Sequence, residues 1–133
     1  MPKNKKNSIT TTMFNTWLDE HGICRTVVQP NAVIELQHAK ENTAAVIQVS
    51  NGSCPPILVD IRLIKSINKE ARDHFTMRGR KPMACAIAIL VNSALSKVVG
   101  NFYLGINVPV APTRLFTSEK KALNWLRINF IQT

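Results

Sequence analysis

Acids, glycines, aromatics and paired cysteines are all scarce in this chain. Of 133 residues, 8 are Asp or Glu against 17 Lys and Arg, a formal net charge of +9. That balance argues against cationic partners and favours phosphate-bearing or acidic ones. The 5 glycines form no G-x-x-x-x-G-K-[ST], G-x-G-x-x-G or G-x-S-x-G pattern. Phosphate cradling by a glycine loop and a nucleophile elbow therefore have no sequence support. Aromatics make up 6% of the chain. In Asn101–Asn107, Phe102 reads as core and only Tyr103 as free, too little to stack single-stranded nucleic acid. Cys24, Cys54 and Cys85 are odd in number and lack a C-x-x-C spacing. A disulfide framework is not expected, and a reducing cytoplasm is the simplest home. Cys85 reads as a small buried hydrophobe.

Two further absences narrow the class. His21, His38 and His74 have no second His or Cys at ligand spacing, so neither a metal nor a cofactor is expected. The longest apolar stretch, Met83–Val91, falls short of the roughly twenty residues that a membrane span needs. The start Met1–Lys6 is basic, but Asn7–Trp17 is too polar for the apolar region of an export signal. Residues 1–8 are expected to be a disordered basic terminus, and residues 9–133 one domain.

What is present is a clear alternation of strands and helices. Thr10–Leu18 and Ile23–Val28 read as strands joined at Asp19–Gly22, an antiparallel hairpin. Pro30–Asn31 breaks the pattern. Leu36–Ser50 reads as a helix with Leu36, Ala39, Thr43, Val46, Ile47 and Ser50 inward, stopped at Asn51–Gly52. Ile57–Ile61 is a short strand. Ile67–Met77 is a helix capped by Ser66 or Asn68, which Gly79 and Pro82 end. Met83–Val91 is apolar throughout, the mark of a strand covered on both faces. A helix is expected from Asn92–Ser93 to Ile106, with Leu95, Val98, Val99, Phe102 and Ile106 inward. Pro109 and Pro112 then bracket a linker. Thr113–Phe116 is the last strand. Ser118 caps a final helix to Phe130, with Ala122, Leu123, Leu126 and Phe130 inward and Trp125 at the edge of that face. This order predicts a mixed α/β sheet flanked by helices.

Four stretches, Ile57–Arg62 (ILVDIR), Lys69–Phe75 (KEARDHF), Asn101–Asn107 (NFYLGIN) and Pro112–Leu126 (PTRLFTSEKKALNWL), resemble an uncharacterised bacterial family. That family is STAS-like, of the SpoIIAA-like and STAS/SEC14 type. The similarity runs from Thr11 to Leu126 and is densest after Ile57. It implies a SpoIIAA-like mixed sheet: an N-terminal antiparallel hairpin, then alternating strands and helices. STAS domains switch partners by phosphorylation of a serine in an Asp-Ser-(Ser/Thr)-Gly motif at a strand end. Here Asp60 stands at such an end, with Ile61–Lys65 before Ser66 and no Asp-Ser pair. Asp60, Arg62 and Ser66 thus form the candidate interaction or phospho-switch corner. Lys65, Lys69, Arg72, Arg78, Arg80 and Lys81 form a candidate anion-binding face. Asp60 has no second group in evident reach for general-base work, so no catalytic residue is assigned.

The expected function is a non-enzymatic regulatory or protein-interaction module with a protein partner, self-association included. The alternative is a small-ligand or lipid-binding protein with a pocket between sheet and helices. The basic face predicts weak, non-specific polyanion binding. Affinity for duplex DNA or anionic vesicles should fall with salt, by about 0.9 in log–log slope per neutralised DNA phosphate. Titrations at two salt concentrations check this. Tight binding to one defined nucleic acid would contradict a protein partner.

Overall fold

The computed structural model describes residues 8–77, 79, 81–91 and 110–131. The expected basic terminus up to Asn7, the helix from Asn92 to Ile106, the stretch Asn101–Asn107, and Arg78 and Arg80 lie outside the described residues.

Eight strands and three helices are described: β1 (Ile9–Thr10), β2 (Phe14–Leu18), β3 (Cys24–Val28), β4 (Ala32–Ile34), α1 (Leu36–Ser50), β5 (Pro56–Asp60), β6 (Ile64–Ile67), α2 (Lys69–Phe75), β7 (Ala86–Leu90), β8 (Thr113–Phe116) and α3 (Glu119–Phe130). Strands β1, β2, β3, β5, β7 and β8 form one sheet in that spatial order. The first two pairings are antiparallel and the other three parallel. The predicted mixed sheet is what forms.

Parallel strands must be covered on both faces, and β7 shows how. Its sequence, AIAIL, is buried at every position. Ile87 and Ile89 face α1 and α2 in a core with Phe14, Val28, Ile57 and Val46. Ala86, Ala88 and Leu90 face the other way, against Ala122 and Leu126 of α3. The two alanines let α3 approach closely, while the isoleucines fill the wider side. Each large side chain buried here contributes about 1.5–3 kcal/mol.

Three expectations need correction. The first strand is two: the chain turns at Thr11, whose N–H donates to Phe14 O at 2.8 Å, so β1 folds back on β2. The N-terminal part of the expected second helix is strand. Ile64–Ile67 pairs in parallel with β4, with Ser66 opposite Val33. Two β-branched isoleucines favour this, and Asn31, at φ 59°, turns the chain into β4. Ser66 is therefore an exposed strand residue, and Asn68 is the cap, its side chain accepting from Ala71 N at 2.9 Å. The inward face of α1 is wider than expected. Ala39, Thr43, Val46 and Ser50 are buried as expected, and His38, Asn42 and Ala45 join them, whereas Ile47 is 48% exposed. The wider face brings Asn42 over the hairpin. The final helix forms as expected, with Ser118 accepting from Lys121 N.

Two measurements follow from these placements. Asn68→Ala should lower stability by about 0.5–2 kcal/mol and Ser66→Ala by almost nothing, as read by denaturant unfolding. Cys24 is fully buried in β3, and burial, aided by the charge of Asp19, pushes its thiol up to about 12 from 9.0. A thiol protonated in the folded state and ionised in the unfolded one favours unfolding at high pH. Its contribution is intact below pH 9 and declines from pH 9 towards 12. Alkaline unfolding curves should be less steep in pH for Cys24→Ala.

Candidate functional site

At the C-terminal end of β5, Asp60 grips Arg62. The carboxylate accepts from Arg62 Nε at 3.0 Å and Nη2 at 2.7 Å, and from the Arg62 backbone N–H at 3.0 Å. Such a two-pronged pair fixes the guanidinium plane. The hydrogen bond to Asp60 is the main reason Arg62 is held above its usual range. Partial burial opposes it, and the charges of Asp60 and Glu119 reinforce it. Arg62 Nη2 also stands 3.5 Å from Glu119, in the first turn of α3. Glu119 in turn receives Arg25 Nη2 at 2.6 Å. Arg25 lies over the Trp17 ring and 3.6 Å from Asp19. Asp19 closes the hairpin turn by accepting from the N–H groups of His21 and Ile23. Three acids and two arginines thus link the hairpin, β5 and α3. Asp60 and Arg62 were expected at one corner; Asp19, Arg25 and Glu119 were not. Glu119 could have been placed near a cation only once α3 was known to return beside β5.

The other residues of the corner go elsewhere. Lys65 and Ser66 are exposed on β6. Lys69 is paired with Asp73 at 2.8 Å, and this bond is the first cause of its raised pKa. Arg72 turns back, donating through Nη1 to Ile67 O at 2.9 Å. Lys81 is exposed, before β7. Asp60–Arg62 and Ser66 therefore belong to separate local structures, the first an ion-pair network and the second the open face of β6. Near Ser66 two large apolar side chains are exposed, Val33 of β4 at 42% and Leu63, in the turn before β6, at 55%.

A second place was not located residue by residue in the sequence. On the face covered by α1 and α2, side chains leave a cavity of about 80 Å³. Ile57, Val59, Ile87 and Ile89 form its floor, with Val46, Ile67, Phe75 and Met83 among its walls. Asn42 and Thr26 supply polar lining, and Arg72 reaches it as well. Thr16 and Thr26 face each other across β2 and β3, with hydroxyls 2.9 Å apart, and Asn42 of α1 bonds to both. The sequence did not signal this: a hairpin closed symmetrically about Asp19–Gly22 sets Thr16 opposite Arg25, and only the register with Leu18 opposite Cys24 pairs the threonines.

Catalytic geometry is not assembled at the cavity by the described residues. Thr43 Oγ1 and His74 Nε2 are 2.9 Å apart, yet neither lines it. Among the described residues no group of His, Cys, Asp and Glu suits a metal ion, and no helix is long and apolar enough to cross a membrane.

Comparison with known proteins places this geometry. No curated protein matches the sequence. An uncharacterised protein of the DUF3478 family from Shewanella loihica PV-4, with a SpoIIAA-like fold, is similar over 89% of this chain and 98% of its own. Its identity is 12% and its TM-score 0.59. That likeness shows the fold to be SpoIIAA-like, as the sequence resemblance implied. A protein of unknown function from Arthrobacter sp. FB24 covers 93% of this chain and 100% of its own, at 31% identity and a TM-score of 0.35. Residues 16–128 match the domain of unknown function DUF7793, and the chain belongs to that family.

Proposed function

We propose that this protein is a non-enzymatic SpoIIAA-like module that binds a small molecule between its sheet and helices α1 and α2. The cavity of about 80 Å³ carries this reading. Protein interiors are packed to crystal-like density, and an unfilled apolar space loses the dispersion contacts its walls would otherwise make. A lined space with polar groups at one place has the make-up of a small-molecule site. Its volume suits a small molecule and not a whole lipid, which narrows the alternative considered from the sequence. The half-buried Phe75 and Met83 offer a wall that can yield.

A second reading rests on a different observation. Val33 and Leu63 expose apolar surface near Ser66 and Lys65. There the module would contact a protein, a second copy of the chain included. Its role would be regulatory, and the weak polyanion affinity of the lysines would be incidental.

The two readings separate by experiment. Dissolved xenon, which enters apolar cavities, should shift the methyl resonances of Ile57, Ile87 and Ile89. Val59→Phe should abolish the shifts while spectral dispersion persists. Unshifted methyls in the wild type would refute the cavity reading. Leu63→Asp should leave xenon uptake unchanged. If it instead abolishes a specific complex or self-association with the melting temperature held, the interaction reading prevails.

A further inference from the structure

The polar end of the cavity has hydrogen-bonding capacity to spare. Asn42 Nδ2 donates to Thr16 Oγ1 at 3.1 Å and to Thr26 Oγ1 at 2.7 Å, and the two hydroxyls are 2.9 Å apart. A primary amide nitrogen has two protons and each hydroxyl one. Asn42 spends both of its protons on the threonines, and one hydroxyl proton passes between them. One hydroxyl proton remains without an acceptor inside the trio. Asn42 Oδ1 also accepts no hydrogen bond among the described residues. Thr16, Thr26 and Asn42 are only 0, 1 and 2% exposed, but Asn42 Oδ1 is not wholly sealed, so a partner can reach it. Of the two hydroxyls, that of Thr26 belongs to the cavity lining, as does Asn42. When Thr16 donates to Thr26, the surplus proton is on Thr26, at the cavity.

We infer that the cavity takes a small, mostly apolar molecule with one neutral group that both donates and accepts a hydrogen bond, a group of the alcohol class. Its oxygen accepts from the Thr26 hydroxyl, and its proton goes to Asn42 Oδ1. The rest of the molecule lies on Ile57, Val59, Ile87 and Ile89. A carboxylate lacks the proton that Asn42 Oδ1 requires. A purely apolar molecule leaves both polar groups unmet. An apolar cavity of about 150 Å³ accepts the six heavy atoms of benzene, so the space here holds about three. The inference rests on the cavity reading above and adds the chemistry of the occupant.

Ethanol and propane, three heavy atoms each, test it, titrated into the full chain and followed by the Asn42 side-chain amide and the isoleucine methyls. Ethanol should bind at least tenfold more tightly and should move the Asn42 amide resonances. Thr26→Val, with folding checked by spectral dispersion, should cut that preference to threefold or less. Within the wild type alone, equal or tighter binding of propane overturns the alcohol assignment and leaves the cavity reading standing. Binding of neither probe, together with no xenon shift, overturns both.

Discussion

The whole structure depends on one strand being buried on both sides. Strand β7 alternates Ala and Ile before ending in Leu, and every residue of it must find cover. Once it lies between β5 and β8, the parallel pairing demands helices on both faces. Small residues then decide which helix comes close, and large ones decide where space is left. The cavity lies on the isoleucine side for this reason. On the alanine side, α3 seats Ala122 and Leu126 directly against the strand. The asymmetry of a single five-residue strand thus separates a tight face from a looser one.

The hairpin contributes the polar element of the looser face. A buried Thr–Thr pair with an asparagine above it fixes the register of β2 and β3, since a one-residue slip would put the two hydroxyls on opposite faces. It also fixes the orientation of α1 about its axis, because Asn42 must sit over the pair. The exposure of Ile47 is a consequence of that orientation. Buried polar contacts here set geometry as much as they add stability.

Most of the architecture could be read from the sequence. Leu36–Ser50, Thr113–Phe116 and Glu119–Phe130 were delimited by caps, prolines and periodicity that act within a few residues. The strand pair β4–β6 was not legible. Its pairing joins segments separated by a helix and a strand, and neither Ala32–Ile34 nor Ile64–Ile67 has a pattern long enough to announce itself. Ser66 looked like a helix cap because serine suits that position; only the parallel partner Val33 makes it a strand residue. At the candidate site, Asp60 and Arg62 were legible because their contact is local. Their link to Glu119 and Arg25 was not, since the topology of the sheet creates it. The polar trio was not legible, because the register that pairs Thr16 with Thr26 and the breadth of the buried face of α1 that includes Asn42 are set by packing.

The bond between Arg25 and Glu119 spans 94 positions of the chain and bears on the order of events during synthesis. The hairpin emerges from the ribosome early and can pair at once. Its arginine meets that carboxylate only after the start of α3 has been made. The cover that α3 gives the alanine side of β7 likewise arrives only then. Between the synthesis of β7 and the docking of α3 the nascent chain lacks that cover, and exposed apolar strand surface is what makes incomplete chains prone to aggregate.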